Sequence, residues 1–519
     1  MGKRVVVIGA GLAGMIAACM AQREGAEVLL VDRGSIGLGS NSAMANGVVG
    51  RPSGKQDEKK YIADTIEIGR GLNRRSMIEI AAAEAENAIS FLRSVGVNGT
   101  EGTNMYSVKS PDPEIIPGVT LVKKVREAVG ALENVRCITG FYVTEIVTDR
   151  DHTRGIRGFD KTGKETEIPA DAVVIATGGA GAVYLKNDNQ KDIVGQGYRL
   201  AAQAGLALWD MEFVQYFPLV FADPHLPSML VFPPYHKAIK LTNNSGEDIV
   251  AKYGLGDINE AAVKKRDAFS AILFGELQSG PVWMDFRDIP SEMWKKHPLS
   301  LLAKLKHDFS ARPAAVSPAA HFFMGGVRTD EKGETDLPGL FACGEVVFGF
   351  HGANRRGGNA LLECVVFGTI AGRNAAQYAL GNDVSSMKEG GAAPTGMSAG
   401  RGDLRALRQE IREIAWNHAG VVRNEAGLKE GLEKIAGLRR RLGAILPQTT
   451  KELRLKLDLD SAAFAAQAIM TASLARKESR GSFLRSDFPY EDNANWKKNS
   501  CLRYDAENRA FTLSFGDVE

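Results

Sequence analysis

The sequence predicts an α/β fold in three parts: a domain on a parallel sheet, an α+β domain inserted into it, and a C-terminal helical domain. Three observations predict this arrangement. The chain opens with a short apolar run, a glycine-rich turn and a helical pattern. That glycine-rich, apolar composition stops near residue 217 and returns from about residue 319. Beyond a Gly-, Ala- and Ser-rich stretch at 381–402, which we interpret as a linker, apolar residues recur at helical spacing.

These changes in amino-acid composition set the predicted domain boundaries. We assign residues 1–216 and 319–385 to the two parts of the sheet domain, 217–318 to the inserted domain, and 403–519 to the helical domain and its tail. The inserted segment is rich in proline, aromatic residues and lysine. A chain of 519 residues has room for these units, since domains commonly hold about 100–200 residues.

The composition and charge exclude several classes of protein. Sixty-four basic and 62 acidic residues leave a net charge of +2, which gives no reason to expect nucleic acid or a membrane surface as a partner. No run approaches the ~20 apolar residues that span a bilayer, and no signal peptide precedes the first strand. The five cysteines form no CxxC pair. We therefore expect a cytoplasmic protein with no metal site and no direct membrane insertion.

Apolar periodicity predicts the elements in order. The sheet domain should contain strands Arg4–Ile8, Val28–Val31 and Ala172–Ala176, helices Ala13–Glu24 and Val119–Leu132, a helix-rich stretch at 57–96, and a hairpin of Phe141–Asp149 and Gly155–Phe159. Further on we predict a helix at Asp267–Leu277, helical faces at Leu404–Ile414 and Leu428–Leu442, and a final strand near Phe511–Phe515.

A GAGLAG motif follows the first strand and opens the first helix. Gly9 suits the tight turn, Gly11 lets the backbone approach a pyrophosphate, and Gly14 lets helix and strand pack closely. The helix N-terminus favours the negative charge. Asp32 ends the second strand, where its carboxylate can accept hydrogen bonds from an adenosine ribose. Together these features predict a Rossmann-like dinucleotide site.

Two later segments favour FAD over NAD. Ala176, Thr177 and Gly178 follow one buried strand, and Gly344 and Glu345 follow another far along the chain. Both look like segments that return to line a long, extended cofactor. An NAD-binding fold of this type would normally be complete within one contiguous stretch.

With these motifs the sequence resembles the flavoprotein subunits of succinate dehydrogenase and fumarate reductase, and their relative L-aspartate oxidase. The most specific segment is LFACGEVVFGFHGANRRGGNALLECVVFG at 340–368. The resemblance covers most of the chain and extends to Gly9–Gly14, Ser40–Gly47, Met211–Tyr216, Ala319–Val327, Trp416–Leu428 and Ala475–Gly481. It implies an FAD-binding Rossmann-like domain, an inserted α+β capping domain and a C-terminal helical domain.

The resemblance also implies an oxidoreductase that moves a hydride between flavin N5 and a carbon beside a carboxylate. Arg355 matches the arginine that clamps the substrate carboxylate, and a planar guanidinium suits that task. His321 matches a histidine that hydrogen-bonds the same carboxylate, and Arg266 an arginine that resembles a proton donor. From the residues alone, Arg266 could equally be a solvated charge and His321 a core histidine. Only one of Arg355 and Arg356 need be functional.

The glycine motif and the resemblance together imply a set of cofactor-binding residues. They are Gly9, Gly11, Leu12, Ala13, Gly14, Asp32, Arg33, Ser40, Asn41, Ser42, Asn46, Gly47, Ala176, Thr177, Gly178, Gly344, Glu345, Asn359, Ala360 and Leu361.

The sequence departs from the family pattern in three places. Many members attach FAD through a histidine in Ser-His-Thr, but this chain has Ser40-Asn41-Ser42. An amide cannot form that bond, so we expect noncovalent FAD with a lower potential, which favours substrate reduction. Phe217 stands where the family has a histidine. The family's threonine- and glutamate-rich glycine segment is replaced by LVFPPYHKAIKLTNNSGED at 230–248.

The last two changes affect the half of the pocket that holds the substrate's far carboxylate in the family. Without that segment's proton relay, a guanidinium with a pKa above ~12 is a poor acid, so Arg266 can serve as a charge stabiliser instead. We predict a monocarboxylate, or a larger, less polar acid or thioester, rather than fumarate or succinate. Tyr235, His236 and Lys237 are candidates to replace the lost polar contacts.

Other functions remain open from the sequence. The chain could be an electron-transport flavoprotein subunit whose own pocket has decayed and which works with an iron–sulfur partner. It could also resemble adenylylsulfate reductase or an amino-acid oxidase in its chemistry. The retention of Arg355 and His321 argues against a decayed pocket. The sequence shows no second dinucleotide motif, so direct use of NADH is not expected.

Overall fold

The computed structural model describes residues 3–149, 152–382 and 403–519. In these residues a five-stranded parallel sheet forms the centre of the FAD-binding domain. From edge to edge its strands are Leu340–Ala342, Ala172–Ile175, Arg4–Ile8, Glu27–Asp32 and Val135–Thr139. Most of these strands are near-continuous apolar runs, as expected for a sheet that is covered on both faces. The strands predicted at Arg4–Ile8, Val28–Val31 and Ala172–Ala176, and the one before Gly344, are confirmed, while Val135–Thr139 was not predicted.

Alternate residues of the strands pack into two separate cores. One face of the sheet packs against helices Leu12–Arg23, Arg75–Ser94, Pro117–Gly130 and Asn359–Gly381. The other face packs against helix Gln196–Gln203 and the antiparallel sheet Tyr142–Asp149, His152–Phe159 and Glu165–Pro169. The predicted helix at Val119–Leu132 begins earlier because Pro117 fits the first helical turn.

Helices Leu12–Arg23 and Asn359–Gly381 pack with their backbones almost touching. A Cβ on Gly368 would lie 2.8 Å from the carbonyl oxygen of Ala13, and Gly372 approaches Ala17 one turn further on. The two helices therefore run parallel. Their N-terminal ends both point towards the edge where the central strands end.

The capping region has its own antiparallel sheet and its own apolar core. The strand order is Val214–Phe221, Ala314–Phe323, Val282–Asp285 and Lys240–Thr242. Four helices accompany it: Ile249–Lys252, Ile258–Lys264, Arg266–Glu276 and Leu299–Leu302. The boundaries predicted at 216/217 and 318/319 fall inside the first two strands, so the chain enters and leaves the capping region along one two-stranded ribbon.

Three long helices, Leu404–Ala419, Glu425–Gly443 and Thr450–Ala475, form the helical domain. Asp403, Asn424 and Thr449 cap them through side-chain oxygens that accept backbone N–H groups. The predicted linker lies, from residue 383 onward, outside the described residues. Along the described ranges, no helix has both the length and the apolar character that a bilayer crossing requires.

The tail differs from the single strand that we predicted near Phe511–Phe515. It forms a hairpin of Lys498–Asp505 and Ala510–Asp517, which pairs with Leu208–Trp209 of the FAD-binding domain. The first hairpin strand was missed because it buries the polar residues Asn499 and Ser500. Their partners are acidic side chains distant in sequence, so the strand shows no apolar alternation.

The remaining elements, apart from the 14-residue helix Lys55–Ile68, are short. They are the strands Val48–Gly50, Gly99–Gly102 and Met105–Val108, the paired strands Val422–Arg423 and Leu484–Arg485, strand Gly326–Val327, helices Asn41–Met44, Lys55–Ile68 and Asn493–Trp496, and single 3₁₀ turns at Gly181–Val183 and Ser291–Lys295.

A buried ion network joins the helical domain to the FAD-binding domain. The Nε of Arg476 donates to Glu212 at 2.7 Å, and its Nη1 donates to Glu478 at 2.9 Å. Arg480 also pairs with Glu478, while Ser500 donates to Glu212 at 2.6 Å. All these side chains are fully enclosed, so each charge depends on its partners. The ARKESRG segment that contributed to the resemblance therefore has a structural role.

Candidate active site

A cleft opens at the carboxyl ends of the central strands, the usual ligand position in an open α/β sheet. The turns after four of these strands form its floor, and the loop at 39–42 forms part of its wall. Fourteen of the predicted cofactor residues line it: Gly9, Gly11, Leu12, Ala13, Asp32, Arg33, Ser40, Asn41, Ser42, Ala176, Thr177, Gly178, Gly344 and Glu345.

The glycines of the first turn are required by close backbone contacts. Gly9 has a φ of 98°, a region that disfavours other residues. A Cβ built on Gly14 would lie 1.9 Å from the carbonyl oxygen of Gly9. Beside Gly11 the nearest atom to such a Cβ is in Ser40, at 3.5 Å, so this part of the backbone is open to the cleft. These positions fit the roles predicted for the three glycines.

Backbone amides hold the Asp32 carboxylate at the cleft wall. One oxygen accepts from the Ala10 N–H at 2.8 Å and the other from the Gly34 N–H at 2.6 Å. Burial raises the pKa of Asp32 despite these hydrogen bonds. Its fixed orientation fits the ribose contact predicted for it.

Arg33 lines the same wall but already has protein partners. Its Nη2 pairs with Asp458 of the helical domain, and its guanidinium lies 4.9 Å from the centre of the Tyr142 ring. The interaction with Asp458 could not be foreseen, because 425 residues separate the two.

Several buried polar atoms around the cleft have no protein partner. They are Thr177 Oγ1, Arg33 Nη1 and Asn359 Nδ2, and buried polar atoms of this kind are normally hydrogen-bonded. Asn359 is fully buried and begins the helix that also contributes Cys364 to the cleft. Its Oδ1 accepts from the Tyr61 hydroxyl at 2.6 Å, so its amide N–H₂ is fixed in direction. Thr177 and Arg33 line the cleft, so their unpaired atoms fit the polar groups of a bound FAD, whereas Asn359 is not among the lining residues.

Six predicted cofactor residues do not line this cleft: Gly14, Asn46, Gly47, Asn359, Ala360 and Leu361. Gly14 allows the first helix to pack closely against the turn at Gly9. Asn46 Oδ1 lies 3.1 Å from His297 Nε2 in the capping region, and Gly47 has a φ of 73° against Pro117. Asn359, Ala360 and Leu361 form the first turn of their helix. Direct cofactor contacts from these residues stay predictions.

The cleft also contains residues that sequence reasoning missed, including Phe141, Val143, Ile193, Gln196 and Cys364. Phe141 and Val143 belong to the start of a predicted strand, but strand periodicity does not say which face meets a ligand. Gln196 donates to the Val143 carbonyl at 2.8 Å, a contact without a local sequence signal.

Glu345 is one of the residues that line the cleft. Its Oε1 accepts from the Phe323 N–H at 3.1 Å, and Phe323 is two residues from His321. Burial raises the pKa of Glu345 to about 7. The residue therefore connects the cofactor cleft to the strand that carries His321.

Two arginines, Arg355 and Arg266, lie beside this strand. Arg355 is 6% exposed and stacks on Phe322 at 4.7 Å from the ring centre. Its Nη1 makes a long contact of 3.4 Å to the Arg356 carbonyl, and its Nε is buried without a partner. Burial, and then the charge of Arg266, lower the pKa of Arg355 to about 9. In the described parts of the chain, no carboxylate lies within salt-bridge distance of Arg355.

Arg266, in the first turn of a capping helix, lies next to Arg355, and we call the surroundings of these two arginines the cationic pocket. Its Nη2 donates to the Arg355 carbonyl at 2.8 Å and to Asn354 Oδ1 at 3.0 Å. Its Nε has no partner, and burial lowers its pKa. The structure therefore brings together two of the three predicted catalytic residues.

A polar scaffold that the sequence did not reveal holds this pocket. Gln215 donates to Asn354 Oδ1 at 2.8 Å and to the Arg355 carbonyl at 3.0 Å, while Asn354 donates to Asp267. Asn354 and Asp267 each adjoin a predicted catalytic arginine in sequence. That proximity was the only signal that could have found them.

His321 is oriented by Asp188. Its Nδ1 lies 2.7 Å from Asp188 Oδ2, and its side chain remains 26% exposed. Because one ring nitrogen faces this carboxylate, the other is left for a ligand. Asn189 donates to the Ala320 carbonyl at 3.0 Å and accepts from Asn41 at 2.6 Å. The histidine strand is thus tied to the loop that forms the cleft wall.

The other side of His321 is apolar. The ring of Phe217 lies 5.6 Å from the His321 ring. Of the three candidates for lost polar contacts, Tyr235 donates to the Val231 carbonyl at 2.8 Å, and His236 accepts from Ala238 at 3.2 Å. Lys237 is exposed. Across the described residues, no hydrogen bond joins these three to the cationic pocket or His321, so their proposed substitution for the lost contacts is not supported.

Known proteins are similar to this chain along nearly its whole length. The family described as "FAD binding domain" matches residues 4–361, and "Fumarate reductase flavoprotein C-term" matches residues 408–519. L-Aspartate oxidase of Pyrococcus abyssi is 31% identical over 94% of this chain and 96% of its own. A fumarate reductase (CoM/CoB) subunit of Methanothermobacter marburgensis is 28% identical over 96% of both chains.

A solved structure shows the same similarity in three dimensions. The FrdA chain of a mutated E. coli quinol fumarate reductase superimposes with a TM-score of 0.86 at 25% identity. The match covers 100% of this chain and 97% of that one.

Proposed function

We propose a substrate class for this chain, which belongs to the FAD-binding family of fumarate reductase flavoproteins and L-aspartate oxidases and is an FAD-dependent oxidoreductase. The hydride is exchanged between FAD and a carbon adjacent to a carboxylate or acyl group. The substrate is a monocarboxylate, or a larger and less polar acid or thioester, rather than fumarate or succinate. FAD is held noncovalently, since the residue in the family's attachment segment is Asn41.

The observation that carries this proposal is the incomplete pairing of Arg355. A buried guanidinium without a carboxylate partner is costly, and its unpaired Nε remains available for a substrate anion. Arg266 adds a second positive charge nearby, since its guanidinium donates to the backbone carbonyl of Arg355 and its charge acts on the Arg355 guanidinium. One carboxylate therefore finds a strong binding position here.

The surroundings of Phe217 support the monocarboxylate. A second carboxylate of the substrate would need its own donors, because a buried charge without partners is strongly unfavourable. The Phe217 side chain has no hydrogen-bond donor. Apolar residues of the replaced segment at 230–248 pack in the core of the capping region. A dicarboxylate would leave its far charge unpaired beside these residues.

Each residue of the pocket then has a defined task. Bound FAD supplies the hydride-exchanging centre. Arg355 binds and orients the substrate carboxylate, and His321, fixed by Asp188, hydrogen-bonds to it through the free ring nitrogen. Arg266 stabilises negative charge that develops on the substrate, since its guanidinium is held by Asn354 and the Arg355 carbonyl.

The electrons are proposed to come from an iron–sulfur partner. The relative from Methanothermobacter marburgensis is named as one of several subunits, which supports an assembly of this kind. A chain that only transfers electrons would have no use for two arginines placed to bind a substrate anion. We therefore prefer the catalytic function.

A substrate panel tests this proposal. The FAD-loaded protein is reduced with dithionite under argon and mixed with crotonate, cinnamate, their acyl thioesters and fumarate, while flavin absorbance is followed. We expect a monocarboxylate or thioester to reoxidise the flavin at least about a hundredfold faster than fumarate, because unpaired burial of a second carboxylate costs several kcal/mol. Faster oxidation by fumarate would contradict the substrate class, and failure of every compound would favour the electron-transfer function.

The affinity for a carboxylate is also expected to depend on pH. Arg355 has a pKa lowered to about 9, so its positive charge is present below that pH and lost above it. Binding of a non-reactive monocarboxylate should therefore weaken by up to ~tenfold per pH unit once the charge is lost. Calorimetric Kd values from about pH 7 to about pH 10.5 measure this change. A constant Kd across that range would show that Arg355 keeps its charge up to about pH 10.5, and so that burial does not lower its pKa to about 9.

A further inference from the structure

A second cavity, which shares no lining residue with the cofactor cleft, lies where three regions of the protein meet. Its volume is about 370 Å³. Phe274 and Leu277 come from the capping region, Val316 from the ribbon that joins it to the FAD-binding domain, and Trp416 from the helical domain. Apolar side chains make up the larger part of the wall, which also includes Gln278 and Gly280, and the cavity is within the size range of small-molecule sites.

Lys186 brings a positive charge to this cavity. Its Nζ lies 5.8 Å from the centre of the Trp416 ring. In the described ranges no hydrogen bond or ion pair reaches this ammonium group, and no carboxylate lines the cavity. The Lys186 side chain is half-buried, and this burial lowers its pKa. The cation therefore lacks the anionic partner that half-buried lysines usually find.

The groups around this cation are held firmly in place. Trp416 makes edge-on contacts with Tyr216 at 6.2 Å and with Phe274 at 5.9 Å. The carbonyl of Lys186 accepts from the Ala320 N–H at 2.9 Å, which anchors its backbone to the His321 strand. A ligand would meet a preformed site and would lose little affinity to reorganisation.

We propose that this cavity binds an organic monoanion with an apolar body of about single-ring size. The carboxylate pairs with Lys186, and the ring or alkyl chain packs against Trp416, Phe274 and Leu277. An inorganic anion suits the site poorly, because one cation is a weak match for several charged oxygens and the walls offer few donors. The apolar walls therefore determine the class of ligand as much as the charge does.

Phenylacetate and phenylacetamide are matched probes, since they share shape and differ in charge. Calorimetry of the FAD-loaded protein should show two phenylacetate sites, one at Arg355 under the proposed function and one at Lys186. Lys186→Gln should weaken one site at least about tenfold and leave the other intact, since it removes a charge-assisted contact. Arg355→Gln should have the reverse effect. Lys451→Gln, at an exposed lysine of the helical domain, is the matched control.

Two outcomes would overturn the inference. One is a Lys186→Gln protein that binds phenylacetate with unchanged stoichiometry and affinity. The other is phenylacetamide that occupies the same site as strongly as phenylacetate, a comparison that needs no variant. If Lys186→Gln loses FAD or melts early, Lys186→Arg replaces it and should retain the site. Loss of the Arg355 site alone would count against the proposed function and leave this inference standing.

Discussion

Replacement of Arg355 by glutamine is expected to lower kcat/KM by about 10³-fold or more. Glutamine keeps a donor but loses the charge and the two-pronged geometry that match a carboxylate. The charge is also needed as the reaction proceeds, so we expect kcat to fall as well as KM to rise. Steady-state kinetics on the substrate found in the panel would measure both values.

Two controls separate this effect from a loss of structure. The variant should bind FAD to the same stoichiometry, since the cofactor cleft does not include Arg355. Arg75→Gln changes an arginine whose side chain is 68% exposed and should leave kcat/KM unchanged. Activity of Arg355→Gln within tenfold of the unmodified protein would show that another residue holds the substrate carboxylate.

Replacement of Gly14 by alanine is expected to abolish FAD binding. The added Cβ would overlap the carbonyl oxygen of Gly9, and this backbone atom has no room to retreat because the turn also contacts Ala176. The first helix would have to move away from the sheet and carry the cleft floor with it. We expect at least about a 10³-fold loss of FAD affinity, or a protein that does not fold, as overpacking of backbone is poorly tolerated.

FAD content is measured by absorbance, and affinity by titration of the apoprotein. Gly130→Ala is the matched control, since a Cβ there meets no atom within 4 Å and alanine favours helices. A yellow Gly14→Ala protein with full FAD content would contradict the packing role of this glycine.

The sequence predicted the features that depend on local patterns. Apolar runs followed by glycines located the strands ending at Ile8 and Ile175 and the turn at Gly344, because these signals need only a few neighbouring residues. The family and its FAD cofactor followed from the motifs and are confirmed. The strands before these turns are neighbours in the parallel sheet, so the turns lie at the same edge although they are far apart in sequence.

The polar partners of the site could not be predicted in this way. Asp188 meets His321 across 133 residues, and Gln215 reaches the Arg355 carbonyl across 140. A single polar residue has no period in the sequence, and its partner is fixed only when distant strands pair. The failure of Tyr235 as a pocket residue has the same cause, since its hydroxyl is already satisfied by the Val231 carbonyl.

The place of strand Leu340–Ala342 at one edge of the central sheet has a consequence for synthesis. It pairs with Ala172–Ile175, and more than 160 residues, including the capping region, are translated between the two. A nascent chain on the ribosome therefore lacks one strand, Gly344 and the Asn359–Gly381 helix until the capping region has emerged. Cofactor insertion must be a late event, because part of its cleft is still missing, and until then strand Ala172–Ile175 leaves an unpaired apolar edge of the kind that promotes aggregation.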